Sequence, residues 1–324
     1  MQKSLAIIGA GAWGSALAIA LSDKFDEIFL ITKDKANTKR LGNQHEALSV
    51  PFNTNISISS SFEVIEGSEA VLIATPSSSF NSVLKDLSPY VKRKPIGWLT
   101  KGFDPDNGKL LHESFNQKFP DHHPCVISGP TFAAEIVEKK PAAIVVASKD
   151  KTTRDFWAET IQTRNLRAYT NSDIVGVQVG GSVKNILAIA AGIANGLGFG
   201  ANTQAALITR GLAEMTRLGV ALGADKATFQ GLSGMGDLVL TCSDDLSRNR
   251  RFGKELANNI STDKALKNIN ATVEGFKALK LVIMIANNHQ IEMPICEQVL
   301  AVTEGRTTPK DAVNELLLRN PREE

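Results

Sequence analysis

Near the start of the chain, the apolar run Leu5-Ala6-Ile7-Ile8 leads straight into Gly9-Ala10-Gly11-Ala12-Trp13-Gly14. A helix-like stretch, Ser15 to Leu21, follows, and then a second apolar run, Ile28-Phe29-Leu30-Ile31. A strand, G-x-G-x-x-G, a helix and a strand within about 30 residues form a dinucleotide-binding unit. Each glycine answers a different steric demand. Gly9 makes the tight turn, Gly11 lets a pyrophosphate approach the backbone, and Gly14 lets helix and strand pack closely. The helix start then offers free N–H groups and a partial positive charge to the phosphates.

The end of the second strand bears on cofactor choice. An acidic residue there suits a ribose 2′-hydroxyl, and a basic one suits a 2′-phosphate. Thr32-Lys33-Asp34-Lys35 offers both. Lys33, at the strand end, favours NADPH over NADH, and Asp34 one place on blurs the choice.

Apolar runs continue to alternate with helical patterns. Ala70 to Pro76, Ile96 to Thr100, Val126-Ile127 and Ala142 to Ala147 read as buried strands, with helices at Phe80 to Leu87 and from about Thr152. This alternation predicts an α/β fold, with a doubly wound Rossmann-type parallel sheet. Ligands of such sheets sit beyond the strand carboxyl ends. Lys101 and the turn Ser128-Gly129-Pro130-Thr131 qualify by position, against the plainer alternatives of a solvated lysine and ordinary turn chemistry. The five histidines, at 45, 112, 122, 123 and 289, fall in polar or turn-like settings and read as surface residues. The pair His122-His123 has no carboxylate or cysteine at metal-ligand spacing and reads as a polar loop, so no metal site is expected.

From about residue 173 the strand patterns stop. Helical periodicity marks Ala205 to Met215, Val273 to Ala286, Ile295 to Thr303 and Asp311 to Leu318, the last opened by Thr308-Pro309. A chain of 324 residues suits two domains. The expected division is a dinucleotide-binding Rossmann domain over 1–178 and an all-α substrate and catalytic domain over 179–324.

The stretch Val177 to Gly192 is almost wholly apolar or small, yet it carries Lys184. On a helix, three- and four-residue spacing puts Lys184 on one face with Val177, Gly180, Gly181, Leu187 and Ala188, none of which can pair with an ammonium. Such a lysine either snorkels to water or sits in a cleft with its pKa pushed down. The flanking glycines 180 and 181 are expected to leave room for a substrate against the helix backbone. Further on, Gly231-Leu232-Ser233-Gly234-Met235-Gly236-Asp237 sets a lone carboxylate after glycines, and Ser247-Arg248-Asn249-Arg250-Arg251 packs donors suited to phosphate. A nucleic-acid patch is a poor alternative, since 36 basic residues nearly balance 34 acidic ones and no aromatics interleave with the cluster. Three scattered cysteines fit a reducing compartment. The start of the chain does not read as a secretory signal, and the longest apolar stretch is too interrupted for a membrane span. The expectation is therefore a cytoplasmic protein with no nucleic-acid partner and no integral membrane segment.

Together these motifs resemble the bacterial NAD(P)-dependent glycerol-3-phosphate dehydrogenase family. The resemblance rests on Gly9 to Gly14, Thr100-Lys101-Gly102, Ser128 to Ala133, Val183-Lys184-Asn185, Ala206 to Met215, Gly236-Asp237-Leu238, Ser247 to Gly253 and Val273-Glu274-Gly275, in order along nearly the whole chain. It implies a homodimer that interconverts dihydroxyacetone phosphate and sn-glycerol 3-phosphate with NAD(P)H, for glycerophospholipid synthesis. By matching position it implies Lys184 as general acid/base and Lys101 as a second lysine close to substrate and nicotinamide. Gly129, Thr131, Asp237, Ser247, Arg248 and Asn249 would contact substrate. Ala12, Trp13, Lys33, Ala133, Arg248, Thr272 and Glu274 would contact the cofactor. Two stretches depart from the family pattern: Ile31-Thr32-Lys33-Asp34 at the second strand end, and the loop His45 to Pro51. Two rivals stand beside this family: a hydroxyacid or phosphogluconate dehydrogenase on the same plan, and a non-catalytic NAD(P) sensor.

Overall fold

A computed structural model describes residues 3–319. The chain divides into two compact units, Met1–Gln178 and Val179–Glu324.

The first unit is one eight-stranded sheet with helices. In chain order it runs β1 (Ser4–Ile8), α1 (Ala12–Leu21), β2 (Glu27–Ile31), α2 (Lys35–Leu41), β3 (Ile56–Ser59), β4 (Ala70–Ile73), α3 (Phe80–Val91), β5 (Ile96–Trp98), α4 (Leu111–Lys118), β6 (Val126–Ser128), α5 (Ala133–Val137), β7 (Ala142–Ala147), α6 (Lys151–Ile161) and β8 (Leu166–Asn171). The strand order is β3-β2-β1-β4-β5-β6-β7-β8. The direction of winding reverses between β1 and β4, which pair in parallel from Leu5 with Ala70 to Ile8 with Ile73. That crevice is where a doubly wound sheet takes its ligand.

The sheet is not wholly parallel. β6 and β7 pair antiparallel, Val126 opposite Ala147 and Ser128 opposite Val145. Two strands were not expected from the sequence, β3 and β8, and both lie at the sheet's edges. An edge strand need not be an unbroken apolar run. Ile56-Ser57-Ile58-Ser59 and Leu166-Arg167-Ala168-Tyr169-Thr170-Asn171 instead mix apolar and polar residues. The core of this unit gathers Leu5, Ile7, Leu17, Leu30, Leu72, Ile127 and Trp157.

The second unit is helical. α7 (Ile174–Gly196) runs into it from the end of the first. Then follow α8 (Ala201–Ala221), α9 (Asp237–Ser243), α10 (Arg248–Ala257), α11 (Thr262–Ile269), α12 (Glu274–Asn288), α13 (Pro294–Thr303) and α14 (Pro309–Leu317). α7 is long and apolar enough to cross a membrane by length and composition, but 94% of that stretch is buried inside the protein, as for a core helix.

Small residues let α7 and α10 approach closely. A Cβ on Gly192 would lie 2.0 Å from the Arg250 carbonyl oxygen, and one on Gly253 would lie 2.1 Å from that of Ile189. Gly180 is filled in the same way, since its Cβ would meet the Ser233 carbonyl oxygen at 2.5 Å. The expected space for substrate beside Gly180 is therefore absent; packing takes that position. Glu214 on α8, 2% exposed, ties down another helix. It accepts from the N–H groups of Ile295 (2.7 Å) and Cys296 (3.3 Å) in the first turn of α13. It thereby satisfies donors that have no partner within the helix.

The histidine expectation fails in part. His45 is buried, its ring accepting from the Ala47 N–H, and burial lowers its pKa. His112 and His122 are half-buried, with pKa values lowered by the same cause. His112 Nδ1 lies 2.9 Å from Gln178 Nε2. Only His123 and His289 are exposed.

Candidate active site

In the first unit the glycine motif has the expected three-part form. Gly9 sits at φ +112°, and a Cβ there would lie 2.7 Å from the Ala74 carbonyl oxygen. A Cβ on Gly14 would lie 2.0 Å from the Gly9 carbonyl oxygen. Gly11 differs, because its Cβ would meet nothing within 4 Å. Open space above Gly11, at the N-terminus of α1, is what a pyrophosphate needs. The first turn of α1 holds no acidic side chain, and Gly11 caps it without a side-chain bond. The N–H groups of Ala12, Trp13 and Gly14 therefore face an anion without competition. These residues fit a dinucleotide.

At the end of β2, Thr32 is buried and its hydroxyl bonds to the Asp34 carbonyl oxygen and to Thr38. The Asp34 carboxylate accepts from the Asn37 N–H at 2.9 Å and caps α2. Lys33 is exposed and makes no hydrogen bond or ion pair among the described residues. The Asp34 carboxylate is thus engaged in a helix cap, and the Lys33 side chain is exposed.

Lys101 lies three residues beyond β5, half-buried, and is followed by Gly102 at φ +120°. Gly129 follows β6 at φ +153°, and a Cβ there would crowd Ile144 Cα at 3.1 Å. The Thr131 hydroxyl donates to the Gly129 carbonyl oxygen at 3.3 Å, and Ala133 opens α5. Lys101, Gly129, Thr131 and Ala133 all lie past strand carboxyl ends.

In the second unit, Lys184 is 6% exposed. α9 brings two side chains to it. Lys184 Nζ donates to Asp237 Oδ1 at 2.5 Å and to Thr241 Oγ1 at 2.8 Å. The Thr241 hydroxyl in turn donates to the Asp237 carbonyl oxygen at 2.6 Å. A carboxylate so close stabilises the ammonium form, so the apolar stripe is only half of its environment. Thr241 was not anticipated from the sequence. It lies four residues after Asp237 on α9, the spacing that puts two side chains on one helix face.

A second network joins α7, α10 and α12. Asn185 Oδ1 accepts from Asn249 Nδ2 at 2.9 Å, and Asn249 Oδ1 accepts from the Gly275 N–H at 2.9 Å. Asn185 Nδ2 reaches Glu274 Oε2 at 3.4 Å. Both ends of the Asn249 amide are thus engaged within the protein. Thr272, half-buried, lies just before this corner. The Ser247 hydroxyl caps α10, accepting from the Arg250 N–H at 3.2 Å. The three arginines separate by environment. Arg250 is buried and paired with Asp245, whereas Arg248 and Arg251 are exposed. Arg248, in the first turn of α10, has no partner among the described residues.

The family models for the N- and C-terminal parts of NAD-dependent glycerol-3-phosphate dehydrogenase match residues 4–154 and 173–314. A glycerol-3-phosphate dehydrogenase [NAD(P)+] of Ruthia magnifica subsp. Calyptogena magnifica is 58% identical over 320 residues, covering 98% of each chain. Its counterpart in Vesicomyosocius okutanii subsp. Calyptogena okutanii is 56% identical with the same coverage. The crystal structure of glycerol-3-phosphate dehydrogenase from Coxiella burnetii superposes with a TM-score of 0.94 at 38% identity, covering 98% of this chain and 99% of that one. Fold and site define a nicotinamide-dependent oxidoreductase acting on a CH–OH group. More narrowly, the chain belongs to the NAD-dependent glycerol-3-phosphate dehydrogenase family.

Proposed function

We propose that the protein interconverts dihydroxyacetone phosphate and sn-glycerol 3-phosphate, with Lys184 as general acid/base. The observation that carries this reading is the buried Lys184, held by Asp237 and Thr241. When bound, a reduced nicotinamide supplies hydride to C2 of the substrate. Negative charge then grows on the carbonyl oxygen, and Lys184 gives it a proton. Asp237 and Thr241 keep the ammonium charged and aimed, so it is ready to donate in the reductive direction. In the oxidative direction Lys184 must first lose a proton, against the pull of Asp237.

Lys101 stabilises the charge developing on the same oxygen. Arg248, with Arg251 nearby, provides the cations for the substrate phosphate, and Ser247 fixes the start of the helix that carries them. Gly129 and Thr131 shape the substrate's surroundings in the first unit. The sheet crevice with Gly9, Gly11, Ala12, Trp13, Gly14 and Ala133 holds the cofactor, to which Thr272 and Glu274 also contribute. Lys33 prefers a cofactor bearing a 2′-phosphate. The product serves phospholipid synthesis in the cytoplasm. The protein works as a homodimer, a reading helped by Leu317 and Leu318, which are 74% and 80% exposed on and just after α14.

The deciding assay follows cofactor absorbance with dihydroxyacetone phosphate and a panel of 2-keto acids and sugar acid phosphates. Turnover confined to dihydroxyacetone phosphate, and abolished in Lys184→Met, is the expected result. Equal turnover of a 2-keto acid, or near-normal turnover by the variant, would overturn it.

A further inference from the structure

Three residues after Lys101 the chain buries a carboxylate completely. Asp104 is 0% exposed. Among the described residues no lysine, arginine or histidine pairs with it. Instead it collects four neutral donors. Its Oδ2 accepts from Ser114 Oγ at 2.5 Å, Asn81 Nδ2 at 3.0 Å and Asn107 Nδ2 at 2.9 Å. Its Oδ1 accepts from the Asp106 N–H at 3.0 Å. Burying a charge without an ion pair is costly unless hydrogen bonds compensate it. Burial pushes the Asp104 carboxyl up, and these four bonds outweigh it, holding the group below the usual carboxylate range.

The donors come from three places: Asn81 on α3, Ser114 on α4, and the loop itself. The backbone of Asp104 is tied as well. Its N–H donates to the Lys109 carbonyl oxygen and its own carbonyl oxygen accepts from the Gly108 N–H, both at 2.9 Å. Phe103, 2% exposed, pairs with Leu110 in a single antiparallel bridge. On the other side of Lys101, the Thr100 hydroxyl donates to the Thr75 carbonyl oxygen at 2.8 Å. The backbone is therefore pinned immediately before Lys101 and again three residues after it, with only Gly102 and Phe103 between.

The geometry points to Asp104 as a positioning residue for Lys101: it converts the loop between β5 and α4 into a fixed mount for that ammonium. The inference rests on the proposed role of Lys101 in stabilising charge. The hub requires a carboxylate in particular. An amide offers one acceptor oxygen, so Asp104→Asn would turn an NH2 group toward donors and leave at least one of them unpaired. Displacement of a catalytic group by about 1 Å can cost on the order of a hundredfold in rate.

The test is a double-mutant cycle on the full-length enzyme, with dihydroxyacetone phosphate and NADPH. Asp104→Asn is expected to lower kcat by about tenfold or more while leaving the Kd for NADPH within about twofold. In a Lys101→Met background the same substitution should change kcat by less than about twofold, because the group it positions is gone. An equal loss in both backgrounds, or a loss that falls on NADPH binding instead, would overturn the inference while leaving the role of Lys101 intact. Near-normal kcat in Lys101→Met alone would overturn both. Should Asp104→Asn unfold, Asn107→Ala removes one donor at an exposed position. It should show the same dependence on Lys101 with a smaller drop, about threefold; an equal drop in both backgrounds would again overturn the inference.

Discussion

Lys184 and Asp237, 53 residues apart in sequence, meet at 2.5 Å in the interior of the second unit, where they are 6% and 1% exposed. Each makes the other tolerable. A buried ammonium and a buried carboxylate each cost less when an opposite charge lies beside them. Removing one member of a buried pair costs about 3–5 kcal/mol, mostly from the charge left behind. Lys184→Met and Asp237→Ala should each lower unfolding stability on that order, and the double variant should lose less than their sum. Chemical denaturation of the three variants measures this coupling. Strict additivity would mean that the pair does not form.

The same pair predicts a catalytic separation. Lys184→Met removes the proton donor and should lower kcat by about 10²–10⁴. Thr241→Val keeps the lysine but deletes one of its acceptors, and should cost far less, about tenfold. Steady-state kinetics in the reductive direction, with NADPH binding measured separately, distinguishes the two. Equal losses would give Thr241 a larger part than orienting the ammonium.

Glu214 supplies a pH-dependent stability. Burial raises its carboxyl to about 7, against the opposing bonds from the Ile295 and Cys296 N–H groups. The folded pKa lies above the unfolded value of 4.5. The contribution is therefore complete below pH 4.5 and is lost as the pH rises through about 7. Compared with Glu214→Gln, which does not titrate, the wild type should gain relative stability as the pH falls across this window. The change is on the order of a few kcal/mol. Thermal melts of both proteins from pH 4.5 to 8 provide the measurement. A constant difference in Tm would show that Glu214 does not titrate there.

The glycine motif was legible in part because one of its demands is local: Gly14 must avoid the Gly9 carbonyl oxygen, inside the motif itself. Gly9 must also avoid the Ala74 carbonyl oxygen, just past β4, and no spacing within the motif shows that contact. The pattern of Lys184 was also legible as far as its own helix goes, since three- and four-residue spacing shows an apolar face. Its partner was not legible, because periodicity says nothing about which distant segment packs there. Gly180 misled for a related reason. A glycine on a helix marks close approach, but only packing shows whether backbone or ligand does the approaching, and here it is the Ser233 carbonyl. The edge strands were missed because β3 and β8 mix polar with apolar residues; β7 was expected as a strand, but its antiparallel direction was not, because an apolar run carries no direction.

The approach of α7 to α10 gives a prediction for stability and for substrate affinity together. Gly192→Ala would place a methyl carbon 2.0 Å from the Arg250 carbonyl oxygen, a backbone atom that cannot rotate away. The helices would have to separate, at a cost of about 1–3 kcal/mol or more. Gly198→Ala faces open space but sits at φ +85°, and so isolates backbone strain from crowding. Both variants should lower Tm, and Gly192→Ala alone should also loosen the turn at Arg248 and weaken substrate binding. A raised KM for dihydroxyacetone phosphate in Gly192→Ala but not in Gly198→Ala is the expected pattern.

The proposed preference for NADPH can be tested at two adjacent side chains, Lys33 and Asp34. Asp34 accepts from the Asn37 N–H and closes the first turn of α2, so its carboxylate is oriented toward the helix. Lys33 is exposed, with no partner among the described residues. A 2′-phosphate beside Lys33 gains a charge-assisted contact that a 2′-hydroxyl cannot match, worth about 1.5–3 kcal/mol. Lys33→Ala should therefore raise KM for NADPH by roughly tenfold or more and leave that for NADH nearly unchanged. Asp34→Ala should behave differently. It removes a helix cap, costing about 1 kcal/mol of stability, and with its carboxylate committed to α2 it should improve use of NADPH and NADH only slightly and alike. If Asp34→Ala instead impairs NADH selectively, the carboxylate leaves its capping position to hold the ribose, and the preference belongs to Asp34 rather than Lys33.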